Sequence, residues 1–199
     1  MRIRPLLLTL LLLGACFSTP PKEEHFYFLS GPTAVVERGA GPRLAVFDFT
    51  TAAGYDSQRI AYRMGDDELR YYGYRQWVSE PGRMLEEMTV RLLRASARFS
   101  EVGRDEAVRD PQAVLYGHLV AIEEIDHVEE ERWAARLAMV FVVRDEVTRK
   151  VLLRHGFDVT LPCPERNPAE VARLVSKILK QQVNKLVPKI AGQIEKAQR

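Results

Sequence analysis

Four histidines, a carboxylate-rich turn and one run of acids are the side chains whose types could carry acid–base or metal chemistry. Histidine titrates near neutral pH and ligates metals, but His25, His118, His127 and His155 fall on separate segments and share no ligand spacing. His155 lies on the apolar face of an alternating run, which fits a hydrogen-bonded core histidine. Asp48 and the turn Gly65-Asp66-Asp67-Glu68 could pair carboxylates for general acid–base work; nothing else converges on the turn, which reads as solvated. Residues 123–131 hold six acids, Glu123, Glu124, Asp126, Glu129, Glu130 and Glu131. A loop for a hard cation needs ligands at alternating positions and a glycine at the bend. This run has no glycine, so it is expected to be a solvated hairpin tip. The chain also lacks Gly-x-Ser-x-Gly, His-Glu-x-x-His, Walker A and Gly-x-Gly-x-x-Gly, the motifs of common hydrolase, zinc-protease, nucleotide-phosphate and dinucleotide sites. With those motifs absent, no cofactor, no metal and no catalytic residue is expected.

Cys16 stands in a different context. Arg2 and Arg4 form a positive start, Leu6 to Leu13 are apolar except for Thr9, and Leu13-Gly14-Ala15 precede the cysteine. The apolar stretch is shorter than the roughly 20 residues that span a bilayer and suits a secretory leader. Leu-Gly-Ala-Cys is similar to the bacterial lipobox, in which the thiol is acylated and the chain is cut before the cysteine. Residues 1–15 are therefore expected to be a lipoprotein signal peptide, with Cys16 the lipidation site. Two or three acyl chains, at about 0.8 kcal/mol per buried methylene, make a stable membrane anchor. Phe17 stands where a lipoprotein retained at the inner membrane carries Asp, which points to the periplasmic face of the outer membrane. Cys163 is then the one remaining thiol, either free in the Pro162-Cys163-Pro164 loop or bridged to another chain.

The formal charge of +2 changes once the leader is gone. Without Arg2 and Arg4 the chain has 27 basic and 27 acidic side chains, so a globally basic nucleic-acid binder is excluded. Locally, residues 168–199 carry seven basic residues against Glu170 and Glu195. By default this is a solubilising face, and it is also one that anionic phospholipid headgroups could take. The acid run at the opposite pole permits head-to-tail contacts in a homo-oligomer.

The elements that would position these residues follow from periodicity. Residues 16–24, polar and with two prolines, form a lipidated tether. Residues 25–29 and 44–49 suit strands, residues 30–42 a loop, and residues 59–64 and 69–74 a strand pair. Ser79 or Glu80 can open a helix, with Pro81 in its first turn, that places Leu85, Met88, Leu92 and Ala95 on one side and Arg83, Glu86, Glu87, Arg91 and Arg94 on the other. Residues 99–102 return to strand. Three long runs then alternate with period two, which argues an antiparallel meander with one buried face. The first places Ala113, Leu115, Gly117, Leu119 and Ala121 opposite Val114, Tyr116, His118, Val120 and Ile122. The last element starts at Asn167 as N-cap with Pro168 and Glu170 in the first turn. Its stripe is Val171, Leu174, Val175, Ile178, Leu179, Leu186, Ile190 and Ile194, and Pro188 should kink it or end its regular part. The fold class is α+β: an antiparallel sheet with a long C-terminal meander, one face covered by two amphipathic helices, in a single domain of residues 25–199.

One segment is more distinctive. Arg59-Ile60-Ala61-Tyr62-Arg63, Leu69-Arg70-Tyr71-Tyr72, Trp77 and Pro81, placed after a lipobox and Phe26-Tyr27-Phe28-Leu29, resemble the ABC-type transport auxiliary lipoproteins, the PqiC-like family. The resemblance implies a periplasmic, membrane-anchored, non-enzymatic accessory subunit. Its partners would be MCE-domain proteins and an ABC permease with its ATPase, moving phospholipid or related lipid between the membranes. A structural or assembly adaptor of the envelope is the alternative. The candidate partner surface is the hairpin Tyr62, Tyr71, Tyr72 and Tyr74 with Arg75 and Trp77, since aromatic residues and Arg dominate binding energy at interfaces; equally, these tyrosines could cover a helix-packed sheet face.

Overall fold

The computed structural model describes residues 22–32, 39–65, 67–127 and 132–199. The expected signal peptide, Cys16, Phe17 and most of the tether lie outside the described residues, as do Asp66 and Glu129 to Glu131. Element order is β1 (His25–Tyr27), β2 (Arg43–Val46), β3 (Thr50–Thr51), β4 (Arg59–Met64), β5 (Glu68–Trp77), α1 (Pro81–Ala95), β6 (Glu101–Arg104), a 3-10 turn, β7 (Ala113–His127), β8 (Arg132–Asp145), β9 (Val151–Cys163) and α2 (Pro168–Ala197).

The sheet is mixed, which corrects the expectation of an antiparallel one. Strands β7, β8 and β9 do form the antiparallel meander, and β4 pairs antiparallel with β5. The remaining pairs, β1 with β5, β2 with β6, and β2, β3 and β4 with β7, are parallel. The cause is the length of β7. Its 15 residues extend about 50 Å, so one edge accepts all of β8 while the other accepts three short strands in tandem. Leu44–Val46 lies against Ala113–Leu115, Thr50–Thr51 against His118–Leu119, and Ala61–Met64 against Glu123–Asp126.

A bulge decides which residues of β7 face inward. Leu119 pairs with Met139 and Ala121 with Ala138, so Val120 is an extra residue. An inserted residue exchanges the faces of everything beyond it. Ala113, Leu115, Gly117 and Leu119 are buried as expected, but past the bulge Ile122, rather than Ala121, shares the inner face with Leu137 and Leu119.

Both helices pack on that inner face. All eight apolar stripe residues of α2 are buried. Asn167 caps it, its side chain accepting from Ala169 N at 3.0 Å. The helix does not end at Pro188: it runs on to Ala197 with Ile190 and Ile194 buried. Burial of these two side chains, about 1.5–3 kcal/mol each, offsets the roughly 3 kcal/mol that an interior proline costs. In α1, Leu85, Met88 and Leu92 are buried as expected, but so is Glu86, assigned above to the solvent side. It turns inward because Arg104 Nε lies 2.7 Å from Oε1 and Phe49 N donates to Oε2 at 3.4 Å.

Candidate functional site

The acid run is not a solvated tip over its first half. Glu123 and Glu124 are fully buried and Asp126 is 3% exposed, a correction that follows from the bulge and from the pairing of β4 along this stretch. Alternation sends Glu123 to the helix-free face and Glu124 and Asp126 to the helix-covered one.

On the helix-free face Glu123 is saturated. Tyr55 Oη donates to Oε2 at 2.6 Å. Arg63 Nε donates to both carboxylate oxygens at 3.1 Å, and Arg136 Nη1 donates to Oε1 at 2.8 Å. Arg136 also grips Asp158 through two parallel bonds of 2.8 and 2.7 Å, the fork geometry that makes such pairs strong. Burial, then the adjacent carboxylate, pushes the Tyr55 phenol up to about 12, and the bonds from Arg136 hold Asp158 below the usual carboxylate range. Beside the two arginines lies an open cleft of ≈ 640 Å³, lined also by Ile125, His127 and Thr160.

On the other face one guanidinium serves two buried carboxylates. Arg166, just ahead of α2, reaches Asp126 Oδ2 at 2.7 Å and Glu124 Oε1 at 3.5 Å. Tyr72 Oη donates to Glu124 Oε1 at 2.9 Å. Glu124 Oε2, Asp126 Oδ1 and Trp133 Nε1 have no hydrogen-bond partner among the described residues. Burial raises the Glu124 pKa above the ordinary carboxylate value. Cys163 ends β9 in this neighbourhood rather than sitting in a loop; it is a free, buried thiol, pushed up to about 11 by burial and then by Glu124.

The tyrosine hairpin divides between the two faces. Tyr62 and Tyr72 stack on the helix-covered side with centroids 5.0 Å apart, capped by Arg166 over Tyr62 at 5.4 Å and Arg75 over Tyr72 at 5.7 Å. Tyr71 faces the other way, donating to Gly54 O at 2.9 Å with Arg59 stacked on it at 4.1 Å. Trp77 is 1% exposed and belongs to the core. Surface accessibility lies at the sheet edge instead, where β1 pairs with the end of β5. Phe26 (54%), Phe28 (66%), Tyr74 (45%) and Val78 (53%) are exposed there, and Lys22 lies over Tyr74 at 4.8 Å. Residue type and spacing carried a signal for the two phenylalanines. In Phe26-Tyr27-Phe28 alternation turns both away from Tyr27, which packs on the core.

The other sequence candidates do not converge. His118 bonds Thr50 Oγ1 at 2.8 Å, half-buried His155 is 3.4 Å from Gln182 Oε1, and His25 and His127 are exposed. Asp48 pairs with Arg104, and Glu68 with Arg70 at 2.8 Å. Among the described residues no group of three or more His, Cys, Asp or Glu is arranged to hold a metal, and no helix is long and apolar enough to cross a membrane.

The architecture is thus a mixed sheet backed by two helices, with a charge cluster through one end and an aromatic edge beside Lys22. Residues 27–187 match the family model of the ABC-type transport auxiliary lipoprotein component, and the chain belongs to that family. Its members are lipoproteins that serve ABC-type transport as accessory components. Among solved structures it is similar to protein XCC0632 from Xanthomonas campestris, with 24% identity, 87% of this chain and 99% of that one covered, and a TM-score of 0.72. An uncharacterised protein matches at 12% identity, 85% and 99% coverage and a TM-score of 0.70. The hypothetical protein CT253 from Chlamydia trachomatis matches at 7% identity, 78% and 98% coverage and a TM-score of 0.53. These likenesses concern the fold. No curated protein matches the chain.

Proposed function

We propose that this accessory lipoprotein is anchored through acylated Cys16 at the periplasmic face of the outer membrane. There it serves an ABC/MCE-type system that moves lipid between the two membranes. Residues 1–15 are the leader, residues 16–24 the tether, and residues 25–199 the working domain. The domain docks rather than catalyses; energy comes from the partner ATPase.

The observation that carries this reading is the exposed aromatic edge, Phe26, Phe28, Tyr74 and Val78. Large apolar side chains gathered on an edge mark an interaction site, and aromatic anchors supply most of the energy at such contacts. Half-buried Arg75, opposite His25 of β1, links this edge to the stacked Tyr72 and Tyr62. The edge begins at Phe26, ten residues after Cys16, so the docked partner would sit close to the anchored membrane.

The test is a photo-crosslinking residue at position 28 in intact cells, with mass spectrometry of the captured protein. An MCE-domain protein or ABC permease supports the transport reading. Capture of outer-membrane assembly factors alone would favour the adaptor. Cys16→Ala should leave the domain folded but unanchored, and full complementation of a deletion by that variant would remove anchoring from the scheme.

A further inference from the structure

The neutral balance of the chain after residue 15 conceals a separation of charge between its two layers. The helix layer, residues 81–98 and 168–199, holds eleven basic and four acidic side chains, and the rest of the chain from Cys16 onward holds sixteen basic and twenty-three acidic. The helices thus carry a formal excess of seven positive charges over a sheet and its loops with the same excess of negative ones.

The acids of the helix layer are already engaged. Glu86 is buried against Arg104, Glu87 pairs with Arg83, Glu170 with Arg173 and Glu195 with Arg98. Lys177, Lys180, Lys185, Lys189 and Lys196 are all exposed on α2. None of them forms an ion pair among the described residues. From Lys177 to Lys196 the stripe is about 28 Å long.

The kind of partner follows from what this face lacks. None of the exposed large hydrophobic residues lies on either helix, so there is no aromatic or aliphatic anchor for a protein contact, and lysine is depleted in protein interfaces. Flexible ammonium groups spread over a long, flat stripe suit a laterally mobile anionic surface, to which each near-surface lysine adds about fivefold in affinity. A membrane is within reach of a lipoprotein by construction.

We propose that the exterior of the helix layer docks on anionic phospholipid, with Lys177, Lys180, Lys185 and Lys189 among the headgroups. The sheet face, with its cleft beside Arg63 and Arg136, then points away from the bilayer. This rests on the chain being membrane-anchored and is independent of which transport system it serves.

The test uses the lipidated full chain anchored in vesicles of phosphatidylethanolamine, with or without phosphatidylglycerol. Amine-reactive labelling of each lysine is read by mass spectrometry. On the anionic vesicles, labelling of Lys177, Lys180, Lys185 and Lys189 should slow about fivefold or more, with Lys150 of the β8–β9 turn unchanged. The protection should vanish in about 1 M salt, where the Debye length is ~3 Å. It should also vanish when Lys177, Lys180 and Lys185 are changed together to Gln, a substitution at exposed positions that circular dichroism can check for folding. Equal labelling on both vesicles overturns the proposal. So does protection that salt leaves intact, and so does protection that needs an added protein, which would assign the face to an acidic partner. The mass of the N-terminal peptide reports acylation separately, so failed anchoring is distinguishable from failed docking.

Discussion

Tyr55 donates its phenolic proton to Glu123 at 2.6 Å, across 68 residues of sequence, and so fixes the loop after β3 to the middle of the sheet. The same carboxylate takes Arg63 and Arg136. Side chains from the loop after β3, from β4 and from β8 therefore converge on one buried acid, while the next residue, Glu124, gathers Tyr72 and Arg166 on the opposite face.

Removing the Glu123 carboxylate leaves two guanidinium groups and a phenol without their shared acceptor. Losing one partner of a buried pair costs about 3–5 kcal/mol. Arg63 and Arg136 are 25% and 26% exposed and can partly rehydrate, so Glu123→Ala should lose about 3 kcal/mol. Urea unfolding measures this, and a change below about 0.5 kcal/mol, the range of ordinary surface substitutions, would mean that the cluster is not structural.

Trp77 and Phe28 separate the core from the edge. Trp77→Ala should cost about 3–5 kcal/mol, as large aromatic truncations in cores do. Phe28→Ala should stay within about 0.5 kcal/mol of the parent yet weaken partner capture. Parallel melting curves and pull-downs of the two variants check both halves.

The pH dependence of stability should differ between Glu124 and Asp158. Glu124 has its folded pKa raised by burial, so its favourable contribution is complete below the ordinary carboxylate value and is lost as pH rises through the raised one. Asp158 is held low by Arg136, so its contribution is present above the ordinary value and is lost as pH falls through the folded one. Compared with the parent, Glu124→Gln should become relatively more stable as pH rises above the ordinary carboxylate range. Asp158→Asn should become relatively less stable as pH rises towards that range from below. Denaturant midpoints across the acid range read both slopes.

Gly117 is required by a close approach. A Cβ there would lie 2.6 Å from the ring of Phe49, which packs edge-on against Phe141 at 5.8 Å. Gly117→Ala should therefore destabilise by about 1–3 kcal/mol, the usual cost of overpacking. Adding Phe49→Leu should recover part of the loss in thermal melts, a double-mutant coupling.

Most of the α2 stripe, the alternation of β8 and of β9 from Leu153 onward, and the Asn167 cap were legible from residue type and spacing, because each depends on neighbours within a few positions; Val151, expected on the face of Leu153, is instead exposed opposite Arg144 after a register shift. The faces of β7 beyond Val120 were not, since a one-residue bulge leaves no mark in an alternating pattern that is apolar on both sides. Pro188 shows the reverse case: a strong local signal for a helix end is outweighed by the burial of Ile190 and Ile194. The partner surface moved for the same kind of reason. Trp77 looks like an interface residue by type, and its burial depends on β1, where Tyr27 pairs with it, and on a core cluster that residues from both helices complete.

Local pattern was enough for most of the element types and for the family, because both are written in runs of adjacent residues. Pairing order, parallel direction and the fate of the acid run depended on contacts between distant segments. Glu123 and Glu124 differ by one position and are chemically identical, and alternation on one folded strand gives the first Arg63 and Arg136 and the second Tyr72 and Arg166. That division exists because β4 and β8 close on β7 from its two edges, a condition no stretch of neighbouring residues contains.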